Sequence, residues 1–293
     1  MLRLLPGDRL TAQLGTQAGT LTPAQQSALE SYYGLDEPVW SQFTGWLGSL
    51  LQGNLGVSLA SGQDVDGLVV DALPVTLELA LLATLIGGVV GVALGVLSAL
   101  RPGGARDMTV QALGLLGLGV PNFVIASALV AALAAWFSYF PDAGAYVSLT
   151  DSVTGNLGQM IYPALTLSVL LAATIMRTTR SAYLEVASLD FVRTAHGKGL
   201  APRRVQLQHV LRNAAVPIVT ITGIQFGYLL GGTVIVEQVF ALPGLGRLVL
   251  TGIEQRDYPV VQSTVLLIAV AFVLVNLLVD LLYARLDPRV AYR

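Results

Sequence analysis

The stretch Glu185–Pro217, EVASLDFVRTAHGKGLAPRRVQLQHVLRNAAVP, is the one long polar and basic segment in the second half of the chain, and uncharged runs flank it on both sides. A segment of this kind sits in water between two membrane spans. Arg193, Lys198, Arg203, Arg204 and Arg212 outnumber Glu185 and Asp190, and Arg177 and Arg180 add to the excess at its leading edge. Such an excess marks a cytoplasmic loop. The loop also carries folding signals. Ser188 is placed to cap a short helix with Asp190 in its first turn, and Gly199 suits a left-handed stop after His196 and Lys198. Pro202 fits the first turn of a second helix bearing Val205, Leu207, Val210 and Leu211. A helix-turn-helix with apolar residues to spare suggests a docking surface; the plainer alternative is a solvated loop that only sets topology.

Composition places the whole chain in the same setting. The 293 residues are 54% hydrophobic and 12% charged, with a mean hydropathy of +0.69, which describes an integral membrane protein. There is no cysteine, so disulfides, thiolate nucleophiles and Cys-based metal sites are excluded. His196 and His209 both fall in the basic loop at no recognised ligand spacing and read as polar surface. No cofactor or metal site is expected, and no nucleic-acid partner.

Five apolar stretches, Leu73–Leu100, Thr109–Phe140, Asn156–Met176, Ala214–Val236 and Val260–Leu282, are long enough to cross about 30 Å of hydrocarbon. The second exceeds the need of one span, so that either Pro121 breaks it or part of it lies at the interface. Residues 1–72 form an extracytoplasmic segment with a helix expected over Thr22–Tyr33, and residues 73–293 a transmembrane domain whose cytoplasmic loop covers about 181–213. Alternating from the basic loop, Arg101–Asp107 and the tail after Tyr283 lie inside; Pro141–Thr154, Glu237–Tyr258 and the N-terminus lie outside. Glycines recur every fourth residue at Gly87, Gly91 and Gly95 and again at Gly223, Gly227 and Gly231, a pattern for close helix packing. Polar residues at depth are Glu78, Asn122, Gln225, Asn276 and Asp280. Glu78 and Asp280 read as structural, near span ends; Gln225 and Asn122 are candidates for a translocation path.

The segment RTAHGKGLAPRRVQLQHVLRNAAVP resembles the cytoplasmic coupling loop of ABC-transporter permeases, specifically the dipeptide and oligopeptide type of binding-protein-dependent importer. In the wider superfamily the loop opens with Glu-Ala-Ala and has a glycine four residues after the second Ala; those positions are Arg193, Thr194, Ala195 and Gly199 here, with Leu211 and Arg212 where the loop closes on Leu-Pro. The peptide branch looks like RTA, then KG, then HxLRN; His196 and Gly197 depart from its usual Arg-Ala. RLLPGD (Arg3–Asp8), YGLDEP (Tyr33–Pro38), GNLGVS (Gly53–Ser58), VIVEQVFALPGLGRLV (Val234–Val249), RDYPVVQ (Arg256–Gln262) and NLLVDLLYARLDPRV (Asn276–Val290) resemble the same family in the same order.

That resemblance implies an all-α membrane protein with the type I importer permease fold, of whose six spans five are present and the first is missing. It implies a multi-pass protein of a prokaryotic inner membrane with a cytoplasmic C-terminus. The implied partners are a homologous second permease subunit, two ATP-binding subunits, an extracytoplasmic substrate-binding protein and the lipid bilayer. Val192, Ala195, Leu200 and Val205 are the expected docking residues, Arg193 and Arg204 polar contacts, and Gly199 the turn of a rigid lever. No GxxxxGK[ST] loop, HExxH helix or GxSxG elbow occurs, so ATP hydrolysis is expected on a separate subunit. An ion-coupled carrier would want a dense relay of intramembrane carboxylates and histidines, which the spans lack. The resemblance implies di- or oligopeptide cargo delivered by the binding protein, with nickel or sugars as the alternative.

Overall fold

The computed structural model describes residues 22, 38–58, 60–141 and 146–286. The expected helix over Thr22–Tyr33, the Arg3–Asp8 piece, the tail beyond Leu286 and the side chain of Asp280 lie outside what is described. Among the described residues the structure is helical, with one isolated bridge between Val57 and Asp64 and no strand. Helix α1 is Val39–Leu51, α2 Val65–Ala99, α3 Ala105–Gly119, α4 Asn122–Phe137, α5 Val153–Ala187 and α6 Asp190–Gly197. Then α7 (Pro202–Arg204), a π-helical turn (Val205–Leu211) and α8 (Arg212–Gly232) form one continuous run, followed by α9 (Val234–Val239), α10 (Leu245–Glu254) and α11 (Tyr258–Leu286). Four helical runs among the described residues are long and apolar enough to cross a membrane, five if α3 and α4 together count as one span.

The chain divides into two compact units, one of residues up to Val75 with Pro243–Ala269, the other of Thr76–Leu242 with Val270 onward. In the first, Val65, Val69, Ala72, Leu245 and Val260 make the core. Its loop is held by carboxylates: Asp66 Oδ1 accepts the Leu55 amide at 2.9 Å, while Asp257 accepts the Ser58 hydroxyl and, at its other oxygen, the Val260 amide at 3.4 Å. That last bond caps the start of α11. Helix α2 starts at Val65 rather than Leu73 and runs through Gly67 and Pro74, with Asp66 in its first turn favouring a helix N-terminus.

In the second unit α5 is the central strut. Ser152 caps it by accepting the Gly155 amide at 3.2 Å, and it continues to Ala187, past the expected end at Met176. RTTRSAYLEVA has neither Gly nor Pro to stop it, so Arg177 and Arg180 belong to the helix and not to the loop. At 1.5 Å per residue α5 is about 52 Å long. The α2 glycines allow its approach. A Cβ at Gly87 would lie 2.7 Å from Leu171 Cβ, at Gly91 2.8 Å from the Ala172 carbonyl oxygen, and at Gly95 2.6 Å from Thr179 Cβ. The second stripe works partly: Gly223 sits against Val279 and Gly227 against Phe272, while Gly231 is exposed. Pro121 breaks the second apolar stretch, with α3 and α4 at 98°. Val120 before it is extended, as a residue preceding proline tends to be.

Gly91→Leu should therefore abolish monodisperse folded protein after mild heating in detergent. Gly88→Leu, on the same helix but with nothing within 4 Å of its Cβ position, should survive; equal survival would show that the α2–α5 approach is not needed.

Candidate functional site

The basic loop is folded, and its turn is closed by backbone bonds. Gly199 has φ +74, its amide donates to the His196 carbonyl at 2.9 Å, and the Leu200 amide donates to the Ala195 carbonyl at 3.4 Å. These are the two bonds of a Schellman motif, with Leu200 and Ala195 as its apolar pair. Pro202 opens the next helix after Ala201. The expected Ser188 cap is not made. Ser188 keeps helical backbone angles as the residue just after α5 and donates to the Glu185 carbonyl at 2.7 Å, so the extended residue before α6 is Leu189, without a side-chain cap.

The loop's apolar side faces inward. Val192, Ala195, Val205 and Val210 are buried together with Ala99, at the end of α2, and Tyr183, near the end of α5; Leu200 packs against the same cluster. Val192, Ala195 and Val205, expected as docking residues, are 3%, 5% and 0% exposed, covered by the chain's own helix ends and not presented at its surface. The apolar residues left outside are Leu189, Phe191 and Leu207. Arg193 and Asp190 form an exposed pair at 3.5 Å, and Arg204 donates to Gln208 Oε1 at 3.0 Å, also exposed. Among the described residues no group of His, Cys, Asp or Glu is arranged to hold a metal.

The same helix ends carry a bond that sequence reasoning missed. Asp107, at the start of α3, is buried and takes both arms of Arg180 from α5, Nε to Oδ1 at 2.8 Å and Nη2 to Oδ2 at 2.7 Å. The Ser98 hydroxyl from α2, the Gly103 amide and the Gln111 amide donate to it as well. Three helices are thus joined one turn from the cluster under the loop. The one signal in the sequence is that Asp107 is the sole acid in RPGGARD, and nothing local points to Arg180 as its partner.

The candidate path residues are not brought together with the loop. Asn122 begins α4 just after the bend, its Oδ1 buried without a hydrogen-bond partner. Gln225 is half-buried on α8 between the two glycines that pack on α11. Towards the other end of α2, Glu78 Oε2 accepts from the Tyr146 hydroxyl at 3.3 Å and Asn156 Nδ2 at 3.2 Å, a structural use as expected. Burial, then the Glu78 charge, pushes the Tyr146 hydroxyl up to about 12.

Known proteins match this arrangement. The sequence profile of the family described as binding-protein-dependent transport system inner membrane component matches residues 91–292. A peptide ABC transporter permease protein of Sinorhizobium fredii is 41% identical over 292 residues, 100% of this chain and 92% of the relative. The di/tripeptide transport system permease protein of Pseudomonas aeruginosa is 36% identical over 312 residues, covering 100% of this chain and 92% of its own. Among solved structures, an inward-facing methionine ABC transporter superposes with a TM-score of 0.62 at 18% identity, over 75% of this chain and 96% of that one. An amino acid ABC transporter gives a TM-score of 0.57 at 16% identity, over 75% and 94%; both support the fold.

Asp107→Ala leaves the Arg180 guanidinium in its site without a carboxylate, the costly way to break such a pair. Its thermal midpoint in detergent should fall well below that of wild type, and adding Arg180→Ala should recover part of the loss. A double variant that loses the sum of both single effects would contradict the pairing.

Proposed function

The chain belongs to the family of binding-protein-dependent transport system inner membrane components, and we propose that it is the permease subunit of an ATP-driven peptide importer. The single observation that carries this is the folded basic loop, closed at Gly199 and packed onto the ends of α2 and α5. A loop fixed to span ends transmits force to them. Its partners are a homologous second permease subunit, two ATP-binding subunits that hydrolyse the nucleotide, and an extracytoplasmic binding protein that delivers cargo. Peptide cargo is supported by the names of the relatives in Sinorhizobium fredii and Pseudomonas aeruginosa.

In this reading the loop and the C-terminus are cytoplasmic, and residues 1–72 and 237–258 face outward. Leu189, Phe191 and Leu207 enter a cleft of the ATP-binding subunit, with Arg193 and Arg204 as polar contacts at its rim. Val192, Ala195 and Val205 act as the root of the lever, and Leu200 and Gly199 shape its turn. Closure of the ATP-binding subunits drives the loop, the loop carries α2 and α5 with it, and access switches by rigid-body motion. Gln225 and Asn122 remain candidates for the path. The rival ion-coupled carrier would transport without ATP-binding subunits.

Phe191→Ala combined with Leu207→Ala should lower ATP-driven peptide uptake in reconstituted vesicles about tenfold or more, since exposed apolar anchors dominate small interfaces, with no change in thermal midpoint. Unchanged uptake would remove the loop from the docking role. Gly199→Val should uncouple ATP hydrolysis from uptake, because a left-handed residue with a Cβ costs roughly 1–2 kcal/mol, more when β-branched; Gly199→Asn, which tolerates that conformation, should retain coupling. Uptake by the chain alone along an ion gradient would favour the carrier.

A further inference from the structure

The outward faces of the spans differ in chemistry. On α2 the exposed side chains at depth are aliphatic: Leu81, Leu85, Val89, Val90 and Leu97. Such a face suits lipid. The inner half of α5 presents instead Thr174, Arg177, Thr178, Ser181 and Glu185, which follow the three- and four-residue spacing of one helix face and line an open cleft of about 500 Å3 against Leu118 and Pro217. Arg177 lies about 15 Å up the helix from Ala187, and Thr174 about 20 Å. Arg177 and Glu185 are exposed, and neither side chain has an ion-pair or hydrogen-bond partner among the described residues. The contrast with Arg180, three residues on and locked to Asp107, is direct. Arg177 directly follows the apolar run Asn156–Met176 and so stands at the inner end of the span, where an unpaired guanidinium suits water better than hydrocarbon.

The cleft continues into a second recess of about 520 Å3 that shares Thr178 and Pro217 with it and is lined further by Val216, Thr220, Ile221 and Ile224 of α8. The two together offer an isolated cation, an isolated anion about 12 Å away along the helix, and an apolar wall. A solute with carboxylate, ammonium and hydrocarbon parts meets a counterpart for each. Arginine suits the carboxylate because its planar fork donates two parallel hydrogen bonds.

We infer that this face of α5 lines the inner half of the translocation path and that Arg177 holds carboxylate groups of the cargo as it passes, making the permease itself selective for acidic over basic peptides. The inference rests on the permease reading above. Glu185, at the cytoplasmic mouth, takes the cargo's ammonium group.

The test is uptake of Ala-Glu-Ala and Ala-Lys-Ala into vesicles holding the assembled transporter, its binding protein and ATP. One binding protein serves every variant, so its own preference cancels when ratios are compared. In Arg177→Gln the acidic-to-basic ratio should fall about tenfold, the scale of one charged hydrogen bond, and in Arg177→Lys, which keeps the charge but loses the fork, it should fall by less. The thermal midpoint of Arg177→Gln should not move, since the guanidinium holds nothing in the fold. An unchanged ratio in Arg177→Gln, whether total uptake falls or not, overturns the inference. Absence of ATP-dependent uptake of both peptides by wild type overturns the permease reading instead.

Discussion

Burial of Val192, Ala195 and Val205 against Ala99 and Tyr183 is the interaction on which the loop end of this protein depends. A basic segment in water has no intrinsic reason to hold a shape. Fully burying a valine is worth about 1.5–3 kcal/mol, and three small apolar side chains, two from the short α6 and one from the start of the run that continues into α8, meet residues at the ends of α2 and α5. The Schellman bonds at Gly199 set the angle between α6 and that run, so that both deliver their apolar sides to one place. Their charged sides and the aromatic ring of Phe191 are left facing outward.

Force applied to the loop has somewhere to go because the helices beneath it are joined to each other. Gly87, Gly91 and Gly95 bring α2 and α5 close enough that a methyl group would collide at each position. Nearer the loop, Asp107 adds α3 to the pair through Arg180 and Ser98. Close packing without side chains between the backbones resists shear, and a buried, bidentate ion pair has one arrangement. On the proposed reading the loop, the loop end of α2, α3 and the nearby half of α5 move as one body.

Local chemistry was legible in the sequence. Gly199 and Pro202 are read correctly because a left-handed stop and a first-turn proline are properties of single residues, and Pro121 breaks its span for the same kind of reason. The glycine period at Gly87, Gly91 and Gly95 is legible because it names a helix face, though not the helix that meets it. What failed depends on partners distant in sequence. An apolar stripe on a loop helix says that something covers it; Val192, Ala195 and Val205 are covered by the chain's own helix ends, which cannot be told from a partner's cleft without the fold. Arg180 counts equally well as a topological charge or as half of an ion pair until Asp107 is placed beside it. In the same way Arg177 and Arg180 look alike in the sequence, and only the helix phase separates the exposed one from the one paired with Asp107.

The central claim is that the basic loop and the helix ends beneath it move together. Since the chain contains no cysteine, spin labels placed at Lys198→Cys and Arg101→Cys, both exposed and away from the buried cluster, report their separation directly in the assembled transporter. The distance distribution between them should be the same with and without ATP, while the distance from Lys198→Cys to a label on the second permease subunit changes. A shift between the Lys198 and Arg101 labels on nucleotide binding, as large as that to the second subunit, would mean that the loop swings on the spans instead of carrying them.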